Sequence, residues 1–234
     1  MWTRAEIKQR AKNVLKLNYW QALLVSVIIA IFGAGNRGRG GRVFGNIEVD
    51  NPNIFAVVLL ISIIFIILRI FVGYLIEVGG RKYFIKSAQG DINFSYLGFA
   101  FKEGYLNIVG TMLYKAVLIF LWTLLLIIPG IVKSYAYRMV PYILADNPNI
   151  GYKRAIELSN DMTKGEKFDI FVLDLSFIGW YLLGTLALII GIIFVMPYED
   201  ATNAELYLTL RQKALDNGLC TYEELNLTHS AFYN

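Results

Sequence analysis

The sequence predicts an all-α membrane protein in which six transmembrane helices form three helical hairpins, with short cytosolic amphipathic helices between them. Composition is the first reason: 56% of the 234 residues are hydrophobic and 17% are charged, whereas a soluble domain has about a quarter charged residues. The second reason is that the hydrophobic residues form long blocks, at residues 55–78, 108–128 and 170–196. Each block is near or above the roughly 18–20 apolar residues that cross a bilayer.

The blocks and the polar segments around them divide the chain into three parts. Residues 1–16 are predicted to form an N-terminal amphipathic helix at the membrane interface, because Ile7, Ala11 and Leu15 form an apolar stripe opposite a basic face. Residues 17–213 are predicted to form the six-helix transmembrane domain, and residues 214–234 a cytosolic C-terminal tail. The six spans are expected at about residues 17–33, 54–78, 106–128, 131–145, 169–190 and 192–211.

The distribution of lysine and arginine predicts that both chain ends are cytosolic. In that orientation fifteen basic residues lie on the cytosolic side, and the other side has Arg37, Arg39 and Arg42 in a glycine-rich loop. Because membrane topology alone explains this distribution, we expect no nucleic-acid partner. The expected partner is the lipid bilayer, with anionic lipids at the cytosolic face; any protein partner is unidentified.

A threefold internal repeat supports the hairpin arrangement. Each odd-numbered span is preceded by a lysine, Lys16, Lys102 or Lys164, with an aromatic residue within the next four positions. Among the even-numbered spans, MVPY at residues 139–142 is matched by VMPY at residues 195–198. Between the third and fourth spans, residues 129–130 (Pro-Gly) are expected to form a tight turn. The alternative is that such short matches arise by chance in apolar sequence.

Ionisable residues inside the predicted spans indicate a polar helix core, since a charge at the centre of a span costs about 2.5–3.5 kcal/mol on insertion scales. Span four is cationic, with Lys133 and Arg138, and span six is anionic, with Glu199 and Asp200. We therefore expect these spans to pack together and to pair their charges. The candidate binding residues are Lys133, Tyr137, Arg138, Glu199, Asp200 and Asn203. The alternative is that these pairs only fix the helix register.

The motifs of common enzyme classes are absent from the sequence. The predicted spans contain no histidine or cysteine, and no HExxH, GxSxG or Walker A motif occurs. Cys220 and His229 are the only residues of their types, and both lie in the predicted tail. We therefore expect a protein that is not an enzyme, with no catalytic residue, cofactor or metal site.

Three segments carry a family resemblance: TLLLIIPGIVKSYAYRMVPYILADNP, FDIFVLDLSFIGWYLLG and PYEDATNAELYLTLR. They resemble a family of uncharacterised bacterial integral-membrane proteins, the domain of unknown function 975, which is common in Gram-positive bacteria. The resemblance implies a multi-pass protein of the bacterial cytoplasmic membrane built from helical hairpins. It implies no activity and no site.

Two functions are compatible with these patterns. The first is a polytopic membrane protein whose polar, ion-paired helix core binds or transports a small solute, a lipid or a peptide. The alternative is a non-catalytic membrane scaffold or accessory protein for an envelope or export complex.

Overall fold

The computed structural model describes residues 2–33, 52–186 and 190–227, and every regular element in these ranges is helical. The α-helices, in chain order, are α1 (Arg4–Phe32), α2 (Pro52–Leu68), α3 (Tyr74–Ala88), α4 (Tyr105–Leu125), α5 (Ile127–Ala136), α6 (Val140–Asp146), α7 (Tyr152–Met162), α8 (Lys167–Leu186) and α9 (Ile190–Asp216). A π-helical turn, Arg69–Gly73, joins α2 to α3, and a 3-10 helix, Phe94–Phe101, lies between α3 and α4. The predicted all-α class is confirmed for these residues.

Four of the described helices are long and apolar enough to cross a membrane: Arg4–Phe32, Phe55–Ala88, Tyr105–Leu125 and Lys167–Thr185. They correspond to the predicted first, second, third and fifth spans. Membrane association is therefore supported, and the count of six spans and their arrangement as hairpins are not confirmed.

The predicted fourth span, residues 131–145, is not one continuous helix. The chain leaves helical geometry at residues 137–139, so that α5 has 10 residues and α6 has 7. Pro141 favours the break, because proline has no N–H to donate to the carbonyl one turn earlier and its ring clashes with that carbonyl; Pro197, by contrast, lies inside the continuous helix α9. Neither helix alone reaches the roughly 20 residues that a span requires.

The predicted sixth span lies within α9, which has 27 residues. The length of α9 is sufficient to cross a membrane, but Glu199, Asp200, Glu205 and Arg211 make its composition too polar for a membrane-spanning helix. Instead, α9 packs against α1, α3, α7 and α8. From residue 200 to residue 206 every side chain is buried, so α9 is the central helix of the described fold.

The first helix bends at Asn18, where φ is −142° and ψ is 27°. Its buried residues recur every three or four positions on both sides of the bend: Ile7, Ala11, Leu15, Asn18, Ala22, Val25, Ser26 and Ile29. Helical spacing places this stripe on one face, and α1 packs with α9 and α3. The apolar stripe predicted for residues 1–16 is thus buried inside the protein, and an interfacial location for this segment stays a prediction.

One continuous helix, Phe55–Ala88, combines two very different environments. The side chains of residues 55–68 are exposed almost without exception, whereas most of α3 is buried. The change falls at the π-helical turn Arg69–Gly73, where the wider turn shifts the helix face that follows. The chain therefore passes from a lipid-compatible surface into the protein core without a loop.

The break between α4 and α5 falls at Leu126, whose φ of −157° and ψ of 140° are extended. The predicted turn at Pro129 and Gly130 is wrong by three residues. Pro129 instead lies in the first turn of α5, where its missing N–H has no intrahelical partner to lose. Gly130 serves close packing, because a Cβ there would lie 2.3 Å from Thr123 Oγ1 and 2.7 Å from Thr123 Cα.

The chain beyond α9 docks on α7 as far as residue 227. Leu225 is completely buried and Cys220 is 5% exposed. Arg154 donates hydrogen bonds from Nε to the Glu224 carboxylate and from Nη2 to the Leu219 carbonyl, the latter 2.6 Å long. The first half of the predicted tail is therefore part of the folded protein, and His229 lies outside the described residues.

Substituting Gly130 with alanine should destabilise the α4–α5 pair by about 1–3 kcal/mol, the usual cost of forcing extra atoms into a packed interface. The matched control is Gly110→Ala in α4, where a Cβ would meet no atom within 4 Å. That control should be neutral or stabilising, because alanine is favoured over glycine inside a helix. Thermal unfolding of the purified variants in detergent measures both effects, and equal losses would contradict the close contact.

Replacing Arg154 with alanine should release the C-terminal segment and expose the Cys220 thiol. Burial raises the pKa of Cys220 to about 11, so an exposed thiol near its ordinary pKa should react with maleimide at pH 8 roughly tenfold faster or more. The control is Lys153→Ala, because Lys153 is an exposed neighbour on α7. The rate at which Cys220 is labelled, followed by mass spectrometry, should rise only in the Arg154 variant. An unchanged rate would mean that the C-terminal segment stays docked without the Arg154–Glu224 contact.

The ion pair between Arg154 and Glu224 should weaken in acid. Arg154 stabilises the ionised carboxylate by hydrogen bonding and lowers the pKa of Glu224. A group whose pKa is lower in the folded state contributes stability above its unfolded pKa and loses it as the pH falls through the folded value.

Candidate functional site

A group of polar and charged side chains lies on α3 and on the helices α1, α4 and α9 that pack against it, and we call it the central charge cluster. Its members are Ser26, Glu77, Arg81, Thr111, Lys115 and Asp200. Arg81 Nη1 donates to Asp200 Oδ1 at 2.7 Å, and Ser26 Oγ donates to Asp200 Oδ2, also at 2.7 Å. Asp200 is completely buried, so its charge depends on these contacts from two other helices.

The approach of α1 to α3 requires a small residue beside Arg81. A Cβ at Gly80 would lie 2.2 Å from Ile29 Cδ1, and Ile29 is one turn from Ser26 on α1. On the other side, the Arg81 guanidinium lies 5.3 Å from the centre of the Tyr142 ring of α6. Local packing of α1, α3 and α6 therefore fixes the position of the cation that neutralises Asp200.

The α4 side of the cluster is less completely paired. Thr111 and Lys115 are four residues apart and so share a face of α4. Lys115 lies close enough to Glu77 and Arg81 to interact electrostatically with both. Within the described residues, no carboxylate oxygen lies within 4.0 Å of the Lys115 ammonium nitrogen. The Arg81 Nη2 atom lies 3.8 Å from Glu77 Oε1.

Three buried polar atoms on the packed helices α3 and α4 have no hydrogen-bond partner within the described part of the chain: Glu77 Oε2, Arg81 Nε and Thr111 Oγ1. Glu77 is 3% exposed and Thr111 is completely buried. Unsatisfied buried groups are uncommon and cost about 1–3 kcal/mol each, so such a group indicates water, an ion or a ligand as its partner. A carboxylate oxygen, a guanidinium N–H and a hydroxyl together can accept from and donate to one small polar molecule.

The direct ion-pair partner of Arg138 is Asp174 and not the predicted Glu199, which interacts with Arg138 electrostatically at longer range. Arg138 binds Asp174 of α8 with both Nη atoms, and Nη2 also donates to Asn203 Oδ1 at 2.8 Å. The Asp174 carboxylate also accepts a hydrogen bond from Tyr135, 3.0 Å long. Asn203 is four residues from Glu199 and so shares a face of α9 with it, whereas the carboxylate of the direct ion pair comes from α8.

The remaining candidates, Glu199 and Lys133, make their direct contacts with other residues. Glu199 accepts a hydrogen bond from the Tyr181 hydroxyl on α8. Lys133 Nζ lies 5.0 Å from the centre of the Trp122 ring and 5.6 Å from that of Tyr137. Of the six residues predicted from the sequence, the structure therefore brings together Arg138 with Asn203 and Lys133 with Tyr137, and it places Asp200 in the central charge cluster.

A third charged contact joins the far end of α9 to α6. Arg211, which is 2% exposed, donates from Nη1 to Asp146 Oδ2 at 2.8 Å, and the Tyr207 hydroxyl donates to the same oxygen at 2.7 Å. Sequence reasoning missed this contact, and it did not include Arg81 among the candidate binding residues. The four-residue spacing of Glu77 and Arg81 after a long apolar helix was the available signal, because that spacing puts opposite charges on one helix face.

No group of three or more metal-ligating side chains occurs in the described ranges. Because Asp200 is bound by arginine and serine, the cluster has the character of an ion-paired polar site. The prediction that the protein has no metal and no cofactor stays a prediction.

Comparison with known proteins gives a family and no function. Residues 104–214 match the model of a protein family of unknown function, DUF975, so the family resemblance seen in the sequence is confirmed for this part of the chain. No curated protein and no solved structure matches the chain. The matched residues include Arg138, Asp174 and Asp200, whereas Glu77 and Arg81 precede them.

A double-mutant cycle should distinguish the observed partner of Arg138 from the predicted one. The Arg138–Asp174 side chains are 19% and 31% exposed, so their coupling should lie between that of surface pairs and that of fully buried pairs, at about 1–2 kcal/mol. The cycle uses Arg138→Gln, Asp174→Asn and the combination of the two, with unfolding free energy as the readout. The control cycle with Glu199→Gln should be closer to additive; stronger coupling to Glu199 than to Asp174 would contradict the observed contact.

Proposed function

We propose that the protein is a non-catalytic, multi-pass protein of the bacterial cytoplasmic membrane that binds a small polar solute at the central charge cluster. The observation that carries this proposal is that two packed helices, α3 and α4, hold the unpartnered atoms Glu77 Oε2, Arg81 Nε and Thr111 Oγ1. Each of these atoms is buried, and burial without a partner is costly.

The chemistry of the cluster favours a solute with both a donor and an acceptor group, such as a zwitterion. Arg81 Nε and the Lys115 ammonium can donate to an anionic group, while Glu77 Oε2 can accept from an amino or hydroxyl group. The Thr111 hydroxyl can do either. Since the Asp200 charge is already neutralised by Arg81 Nη1, binding need not break the contact that holds α3 to α9.

The finer topology belongs to this proposal. We propose that both chain ends are cytosolic and that the helix pairs α4–α5 and α8–α9 are two of three hairpins. The contacts of α4 with α5 and of α8 with α9 support this, as does the close approach of Gly184 to the backbone of Gly191, where a Cβ would lie 2.8 Å from the Gly191 carbonyl carbon. The broken segment α5–α6 is acceptable at membrane depth because α6 is buried in protein.

A membrane scaffold is the second candidate, and the paired charges of α9 favour it. Asp200, Asn203 and Arg211 contact Arg81, Arg138 and Asp146 respectively. A core in which such contacts serve only rigidity would have no need of a solute. The two functions differ in whether the cluster is accessible to water.

Thiol accessibility tests this difference directly. In a Cys220→Ala background, Thr111→Cys should react with a small methanethiosulfonate reagent about tenfold faster or more than Met112→Cys, if water reaches the polar face of α4. Met112 is the matched control because it is adjacent and is also buried, at 1% exposed. Equal protection of the two thiols would mean a dry core and would favour the scaffold.

Solute binding itself is tested by thermal shift against glycine, glutamate, lysine, choline and phosphate. A zwitterionic amino acid should raise the melting temperature of the wild-type protein and of Glu103→Gln, an exposed acid changed in the same way. The shift should disappear in Glu77→Gln, which keeps the side-chain volume and removes the charge. A shift that persists in Glu77→Gln, or no shift with any solute, would overturn the proposed site.

A further inference from the structure

Three lysines from three neighbouring elements gather beside α8, and we call them the lysine cluster. Lys133 belongs to α5, Lys164 to the turn after α7, and Lys167 is the first residue of α8. Lys167 is close enough to Lys133 and Lys164 for like-charge repulsion, and Asp161 is the acidic group that acts on it from nearby. Among the described residues, none of the three lysines forms an ion pair with a carboxylate.

The cluster contrasts with the cations of the core. Arg81, Arg138 and Arg211 each lie within 3 Å of a carboxylate oxygen, whereas the lysine cluster concentrates positive charge without such neutralisation. Repulsion between like charges is unfavourable, and an anion that binds among them removes it. The cluster is therefore matched to an anionic group supplied from outside the chain.

Aromatic side chains surround the cluster on its exposed side. Phe168 is 74% exposed and Phe171 is 42% exposed, and Lys133 lies over the Trp122 ring at 5.0 Å. Lysine stems with charged tips beside exposed aromatic rings are typical of the level of lipid headgroups. A soluble anion alone would leave these rings in water.

An apolar surface continues from the cluster along α4, α5 and α8. Its exposed side chains include Leu121, Leu125, Ile128, Val132, Leu175 and Ile178. The helices that carry them pack in the order α4, α5, α8. Positive charge at one end of a lipid-compatible surface matches the two parts of a phospholipid, a phosphate and its acyl chains.

We infer that the lysine cluster binds the phosphate of an anionic phospholipid, whose acyl chains lie along the exposed surface of α4, α5 and α8. This site is separate from the central charge cluster, and its failure would not affect the proposed solute site. It assigns Lys133, a candidate of the predicted binding core, to lipid contact.

The test compares binding of phosphatidylglycerol and phosphatidylcholine to the detergent-solubilised protein by native mass spectrometry. The site variant is Lys133→Gln, Lys164→Gln and Lys167→Gln combined. The matched control removes the same charge from three exposed lysines elsewhere, through Lys16→Gln, Lys102→Gln and Lys153→Gln. An arginine variant at the three cluster positions keeps the charge and shows that the fold tolerates substitution there.

The site variant should weaken phosphatidylglycerol binding about tenfold or more, since each basic residue near a membrane contributes appreciably to anionic-lipid attraction. The control and the arginine variant should change binding less than about twofold, and phosphatidylcholine should bind weakly throughout. Equal weakening in site and control variants would overturn the site in favour of diffuse electrostatics. Displacement of the lipid by millimolar glycerol phosphate would also overturn it, because the site would then recognise a soluble phosphate without the acyl chains.

Discussion

Neutralising the charges buried on α9 is the constraint that the rest of the structure depends on. A carboxylate without a partner cannot remain ionised in a protein interior at acceptable cost. Asp200 is completely buried, and Arg81 of α3 and Ser26 of α1 must reach it at the same time. Arg211, at the other end of α9, needs Asp146 of α6 in the same way. These contacts fix the positions of α1, α3 and α6 relative to one helix.

Small residues make these contacts sterically possible. Gly80 lets α1 approach α3 beside Arg81, and Gly130 lets α5 approach α4. In a membrane the hydrophobic effect does not drive helices together, so close backbone packing and polar contacts have to hold them. The same physics explains the division of the Phe55–Ala88 helix. Its first half carries no ionisable residue before Arg69 and faces outwards, whereas its second half carries Glu77 and Arg81 and is buried.

The sequence predicted the features that depend on local composition and missed those that depend on register between distant segments. Spans at residues 54–78 and 106–128 followed from apolar length alone; the continuous helix Phe55–Ala88 covers the first, apart from its first residue, and α4 contains all but the last three residues of the second. The break before Pro141 does not follow from the missing proline N–H alone, because Pro197 in the matching VMPY segment lies inside the continuous helix α9. The partner of Arg138 could not be obtained in this way. Asp174, Glu199 and Asp200 all offered a carboxylate, and only the packing of α8 and α9 places Asp174 against Arg138.

The described fold uses its two basic residue types differently. Within the described residues, five arginines form ion pairs with carboxylates: Arg10, Arg81, Arg138, Arg154 and Arg211. In the described part of the chain, Lys213 alone among the lysines does so, with Glu166. The planar guanidinium has several fixed donors and suits permanent contacts between helices, whereas the ammonium is a mobile point charge on a flexible stem. Within the described residues, Lys115 at the central charge cluster and Lys133 in the lysine cluster are therefore not paired with a carboxylate. The arginines hold the helices in register, and Lys115 and Lys133 remain for the proposed solute and the proposed lipid.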